Sequence, residues 1–61
     1  MRRFMKNYYA HFANSKTGVM IATDGISETH ATARAWIKFM KTRLYKEDCD
    51  GWELEELELA K

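Results

Sequence analysis

Sixty-one residues, 46% of them hydrophobic, make one small domain spanning residues 1–61, too short for a second core and too apolar for an intrinsically disordered chain. A single cysteine excludes an internal disulfide and fits a reducing, cytoplasmic setting. The net charge of +1 conceals a segregated distribution: residues 1–46 carry nine Lys/Arg against Asp24 and Glu28, and residues 47–61 carry seven acids against Lys61, so +7 is followed by −6.

Residues 3–13 are rich in aromatics and alternate as a strand would, with Phe4, Tyr8, Ala10 and Phe12 on one face and Met5, Asn7, Tyr9 and His11 on the other. Lys6 falls among the core positions and is expected to snorkel from the open end of the sheet. Asn14 to Gly18 is a turn cluster, and Val19 to Thr23 a short β-branched run, which together predict a hairpin. No membrane span is expected, because Lys6, Asn7 and His11 interrupt the N-terminal apolar residues.

Asp24-Gly25 ends the second strand. Ser27 is placed to cap a helix, with Ile26 as the outer half of a hydrophobic staple and Glu28 at the positive N-terminus. The spacing predicts one helix from Glu28 to about Lys46, its core stripe formed by Ala33, Trp36, Ile37, Met40 and Leu44. Phe39 lies off that stripe and is expected to be partly exposed. Residues 47–51 read as a loop. The tail is open to two readings, a helix of marginal length or, as favoured, a strand, in which Trp52 and Leu54 fall on one face and Leu57 and Leu59 on the other, and a β-bulge at Glu55-Glu56 would bring all four together. The expected architecture is α+β, in the order β-β-α-β: a three-stranded antiparallel sheet in the order second, first, third, with one helix on one face.

Residues with chemical potential are few. Cys49 stands between Asp48 and Asp50, whose charges disfavour a thiolate, and His11 and His30 are the only histidines. Glu28, His30, Asp48, Cys49 and Asp50 show no metal-ligand spacing. No metal, no cofactor and no catalytic role are expected, so the chain reads as a non-enzyme.

Three surfaces remain as candidates for binding. Glu53, Glu55, Glu56 and Glu58 form an acidic strand suited to a basic protein partner. Met5, Tyr9, Met20 and Phe39 are expected to supply an apolar partner or dimer face, since one helix covers one face of a sheet and homodimerisation would support so small a core. Arg34, Lys38 and Lys41, aligned with Tyr45, are the alternative contacts, for nucleic acid. In the expected strand order, Glu55, Glu56 and Glu58 lie near Arg2, Arg3 and Lys6, while the helix cations stay unpaired.

The step Gly51-Trp52-Glu53-Leu54, between a helix and a last strand, resembles one in small bacterial and phage domains. Short, proline-free, aromatic-rich chains of this kind are similar in style to phage-encoded accessory proteins, some of which inhibit host machinery by binding it. The resemblance carries over no functional residue. The sequence reading is thus a small interaction module, of phage or mobile-element type, that binds and modulates or inhibits a host protein, with a nucleic-acid binder as the alternative.

Overall fold

The computed structural model describes residues 4–60, and it has the expected α+β architecture. Strand β1 (Lys6–Ala13) pairs antiparallel with β2 (Gly18–Gly25), α1 (Glu28–Met40) crosses back over the sheet, a short α2 (Arg43–Glu47) follows, and β3 (Glu53–Leu59) returns beside β1. The sheet order is β2-β1-β3.

The hairpin closes where the side chain of Asn14 imitates a turn. Its Oδ1 accepts from the backbone N–H groups of Lys16 and Thr17, both at 2.8 Å, and the Asn14 N–H donates to the Thr17 carbonyl at 2.9 Å. This turn fixes the register, with Lys6 opposite Gly25 and Ala13 opposite Gly18. Tyr8, Ala10 and Phe12 are buried beneath the helix as the alternation requires. Phe4, expected with them, lies two residues ahead of β1 and is 81% exposed. Lys6, at the strand end, is exposed.

Ser27 caps α1 as expected, its Oγ accepting from the His30 N–H at 3.2 Å. His30 reciprocates through Nδ1, which accepts from the Ile26 N–H at 3.0 Å, much as a Glu or Gln does in a capping box. The Ile26 side chain remains exposed.

The helix differs from its sequence reading in phase and in length. The buried stripe is Ala31, Ala35 and Phe39, whereas Ala33, Ile37, Met40 and Leu44 face outward and Trp36 is half-buried. Close approach decides the phase. A Cβ built on Gly25 would lie 2.6 Å from the Ala31 nitrogen, so β2 and α1 meet where one partner lacks a side chain and the other has only a methyl group. Small residues let α1 descend onto the sheet, and Phe39, one turn beyond Ala35, fills the depth that opens further along. The single helix predicted to Lys46 stops at Met40 because Thr42 ends one helix and caps the next. Its hydroxyl donates to the Phe39 carbonyl at 2.6 Å and accepts from the Tyr45 N–H at 3.3 Å.

That restart turns Tyr45 toward the core. Phe39 is stacked on Phe12, with centroids 4.5 Å apart and planes at 14°, and meets the edges of Trp52 at 4.8 Å and Tyr45 at 5.4 Å. Trp36 closes the cluster edge-on to Phe12 at 4.6 Å. The Trp52 indole N–H donates to the Asp48 carbonyl at 2.6 Å, which ties the α2–β3 loop to the cluster, and Gly51 takes the positive φ of 78° that this loop needs.

In β3 the expected bulge is present. His11 faces Glu56 but Phe12 faces Leu54, so Glu55 is the extra residue. With it absorbed, Leu54, Leu57 and Leu59 fall opposite Phe12, Ala10 and Tyr8 on the helix side of the sheet.

Two expected outcomes test this core. Phe39→Ala removes the centre of the cluster, at a cost of about 3–5 kcal/mol, comparable with the total stability of about 3–5 kcal/mol expected of so small a core. The variant should therefore be largely unfolded by circular dichroism, whereas Ile37→Ala, on the exposed side, should shift stability by less than about 0.5 kcal/mol. The reverse ranking would show that the helix docks in the other phase. Separately, Thr23 is buried and its hydroxyl has no hydrogen-bond partner among the described residues. Thr23→Val keeps the shape and removes the unsatisfied group, so urea denaturation should show a gain of about 1 kcal/mol.

Candidate protein-interaction face

Helix α1 covers one side of the sheet, mainly over β2. On the other side, alternation presents Asn7, Tyr9 and His11 from β1, Met20, Ala22 and Asp24 from β2, and Glu53, Glu56 and Glu58 from β3. Met20 is 54% exposed and Tyr9 37%, and Met5, one residue ahead of β1, is exposed as well. Phe39, expected to join them, is fully buried on the opposite side of the sheet, because the docking phase of α1 turns it inward. The apolar part of the sheet face is therefore Tyr9 and Met20, with Met5 exposed just ahead of it.

The acidic residues border this strip. Glu56 faces His11 and Glu58 faces Tyr9 across the β1–β3 ladder, and Glu58 Oε1 lies diagonally 3.1 Å from His11 Nε2. Glu55, displaced by the bulge, lines a shallow hollow with His11 and Met20. Its volume of about 270 Å³ falls below the 300–1,000 Å³ or so of typical small-molecule pockets. The expected ladder between these glutamates and Lys6 is not formed, since Lys6 lies opposite Gly25 and the β1–β3 pairing begins at Tyr8. Arg2 and Arg3 lie outside the described residues. Among the described residues, Glu53, Glu55 and Glu56 have no ion-pair partner, while Asp48 pairs with Lys16 at 3.5 Å and Glu47 with Arg43 at 4.0 Å.

The helix cations are arranged differently from the sequence reading. Arg34 Nε donates to Asp24 Oδ1 at 2.9 Å, and Lys38 Nζ donates to the Ala22 carbonyl at 3.2 Å. Both reach over the free edge of β2, so two of the three candidate phosphate contacts are engaged within the molecule. Lys41 is exposed at the end of α1. Tyr45, placed in line with them by a continuous helix, packs on Phe39 instead.

Cys49 is exposed in the α2–β3 loop, and His30 is occupied in capping. No group of three or more His, Cys, Asp or Glu side chains suited to holding a metal occurs among the described residues. Among the described residues, no helix is long and apolar enough to cross a membrane.

The latch formed by Arg34, Lys38, Asp24 and Ala22 was missed in the sequence, although an Asp at a strand end and an Arg and a Lys four apart on the next helix were visible signals. No family model matches the chain, and no curated protein or solved structure matches it.

Covering an edge strand with a charged side chain is a common guard against intermolecular strand pairing. The double variant Arg34→Ala/Lys38→Ala should consequently associate as concentration rises, giving a larger mass by light scattering than the unaltered chain. Lys41→Ala, which touches no edge carbonyl, should leave the mass unchanged. Equal masses for all three would show that the latch does not guard the edge.

Proposed function

We propose that this chain is a non-enzymatic protein-interaction module that binds a basic surface of another protein through the open sheet face, and modulates or blocks that protein by occupying it. The observation that carries this reading is the uncovered face itself: Tyr9 and Met20 are exposed on it, with Glu58 directly opposite Tyr9 on β3, and Met5 is exposed just ahead of β1. Exposed apolar groups rimmed by charge are the usual composition of a contact surface, with Tyr and Met among the enriched types. The acidic rim supplies orientation and encounter rate more than affinity. The alternative, nucleic-acid binding through Arg34, Lys38 and Lys41, has less support, because Arg34 and Lys38 already hold Asp24 and Ala22.

Affinity capture with three forms of the protein tests the proposal. The unaltered chain and Lys41→Glu should recover the same partner, whereas Glu56→Lys/Glu58→Lys should reduce its recovery at least about ten-fold, since like charges then face each other. Equal recovery with the glutamate variant overturns the acidic-face reading. Loss with Lys41→Glu, together with loss on nuclease treatment, favours nucleic acid.

A further inference from the structure

The two edges of the sheet are unequal. Antiparallel strands alternate between residues that exchange backbone hydrogen bonds with a neighbour and residues whose N–H and C=O groups point away from it. Ala60 N–H donates to the Asn7 carbonyl at 2.8 Å, and Glu58 and Glu56 face Tyr9 and His11 in the same phase. Leu57 and Leu59, between them, therefore direct their backbone groups out of the free edge of β3. On the opposite edge, the outward carbonyl of Ala22 is taken by Lys38 and the Asp24 carboxylate beside it by Arg34. Among the described residues, no side chain hydrogen-bonds to the outward backbone of Leu57 or Leu59.

We infer that the β3 edge is a docking site for an extended, cationic peptide segment of the partner, which adds to the sheet as a fourth strand with Lys or Arg alternating with apolar residues. The inference rests on the acidic-face reading and adds to it the mode of binding. Strand addition draws affinity from main-chain hydrogen bonds and specificity from alternate side chains. Here the alternation is two-sided. Side chains of the added strand on the open face meet the Glu53, Glu56 and Glu58 row, and those on the helix side lie beside Leu57 and Leu59, of which Leu59 is 51% exposed.

Glutamates and a bulge are also devices that protect edges from pairing. In β3 the protection has one sign. A second copy pairing β3 against β3 would set glutamate against glutamate, which disfavours that occupant, whereas a strand bearing cations at the matching positions is attracted. The bulge at Glu55 leaves Glu56–Leu59 as the regular stretch, so a short segment suffices.

Amide hydrogen exchange with a defined probe tests this mode. An acetylated, amidated peptide of three Lys-Val repeats, added to the full chain, should slow exchange at the Leu57 and Leu59 amides at least about ten-fold, and a Glu-Val peptide of equal length should not. Binding of the Lys-Val peptide with shifts at the glutamates but no slowing at Leu57 and Leu59 overturns strand addition while leaving the acidic face intact. Equal slowing by both peptides overturns the cationic choice of occupant. No response to the Lys-Val peptide overturns the inference, and the capture experiment with Glu56→Lys/Glu58→Lys then decides the acidic-face reading on its own. Slowing that grows with protein concentration in the absence of peptide identifies a second copy as the occupant and also overturns it.

Discussion

The stacking of Phe39 on Phe12 is the contact on which the other packing depends. Phe12 lies in the central strand and Phe39 near the end of the helix, with the planes 14° apart. Once they are face to face, three further rings find edge positions around them: Trp36 from the same helix, Tyr45 from the short helix and Trp52 from the entry to β3. Each comes from a different part of the chain. A core with few aliphatic side chains is thereby held by quadrupole-matched aromatic contacts, each worth about 0.5–1.5 kcal/mol beyond its buried area. The Ala and Gly residues matter as much, since Gly25, Ala31 and Ala35 let the helix descend far enough for the two rings to meet.

The parts of this fold that depend on period two were legible. Alternation identified the β1 face, and the slip in that alternation between Leu54 and Leu57 located the bulge, because a strand that must keep its leucines on one side has to absorb a residue. Helix phase was not legible. Hydrophobicity favours the stripe with the largest side chains, through Ile37 and Met40, whereas docking favours the stripe that permits the closest approach, and these lie on different sides of α1. Phe39 was misplaced for the same reason. Thr42 was equally opaque, since a threonine within a helical pattern reads as tolerated until its hydroxyl is seen serving both helices. Of the candidate face, the glutamate row and the exposed Met5, Tyr9 and Met20 were legible from alternation. The pairing of acids with Lys6 was not, because it depended on a register that only the turn and the bulge define.

The charge segregation along the chain becomes a segregation across the sheet. With β1 in the centre, the helix cations lie over the β2 edge and the glutamates along the β3 edge, two strand spacings or about 10 Å apart. That separation is similar to the screening length of about 8 Å at physiological salt, so each edge presents its own sign to an approaching molecule. The neutral total describes neither edge. A charged molecule approaching the sheet would meet a dipole lying in its plane, which favours one orientation over the other.

The latch over β2 also bears on how strand-mediated assembly could proceed. Open-ended growth of a β-ladder requires every subunit to offer two receptive borders, one to be joined and one to pass the pattern on. Lys38 takes one outward carbonyl of the β2 border, that of Ala22, and Arg34 holds the Asp24 side chain beside it. If a strand joins at the β3 edge, as proposed, the carbonyl held by Lys38 makes the β2 edge the less receptive of the two, which works against passing the pattern on to a further subunit.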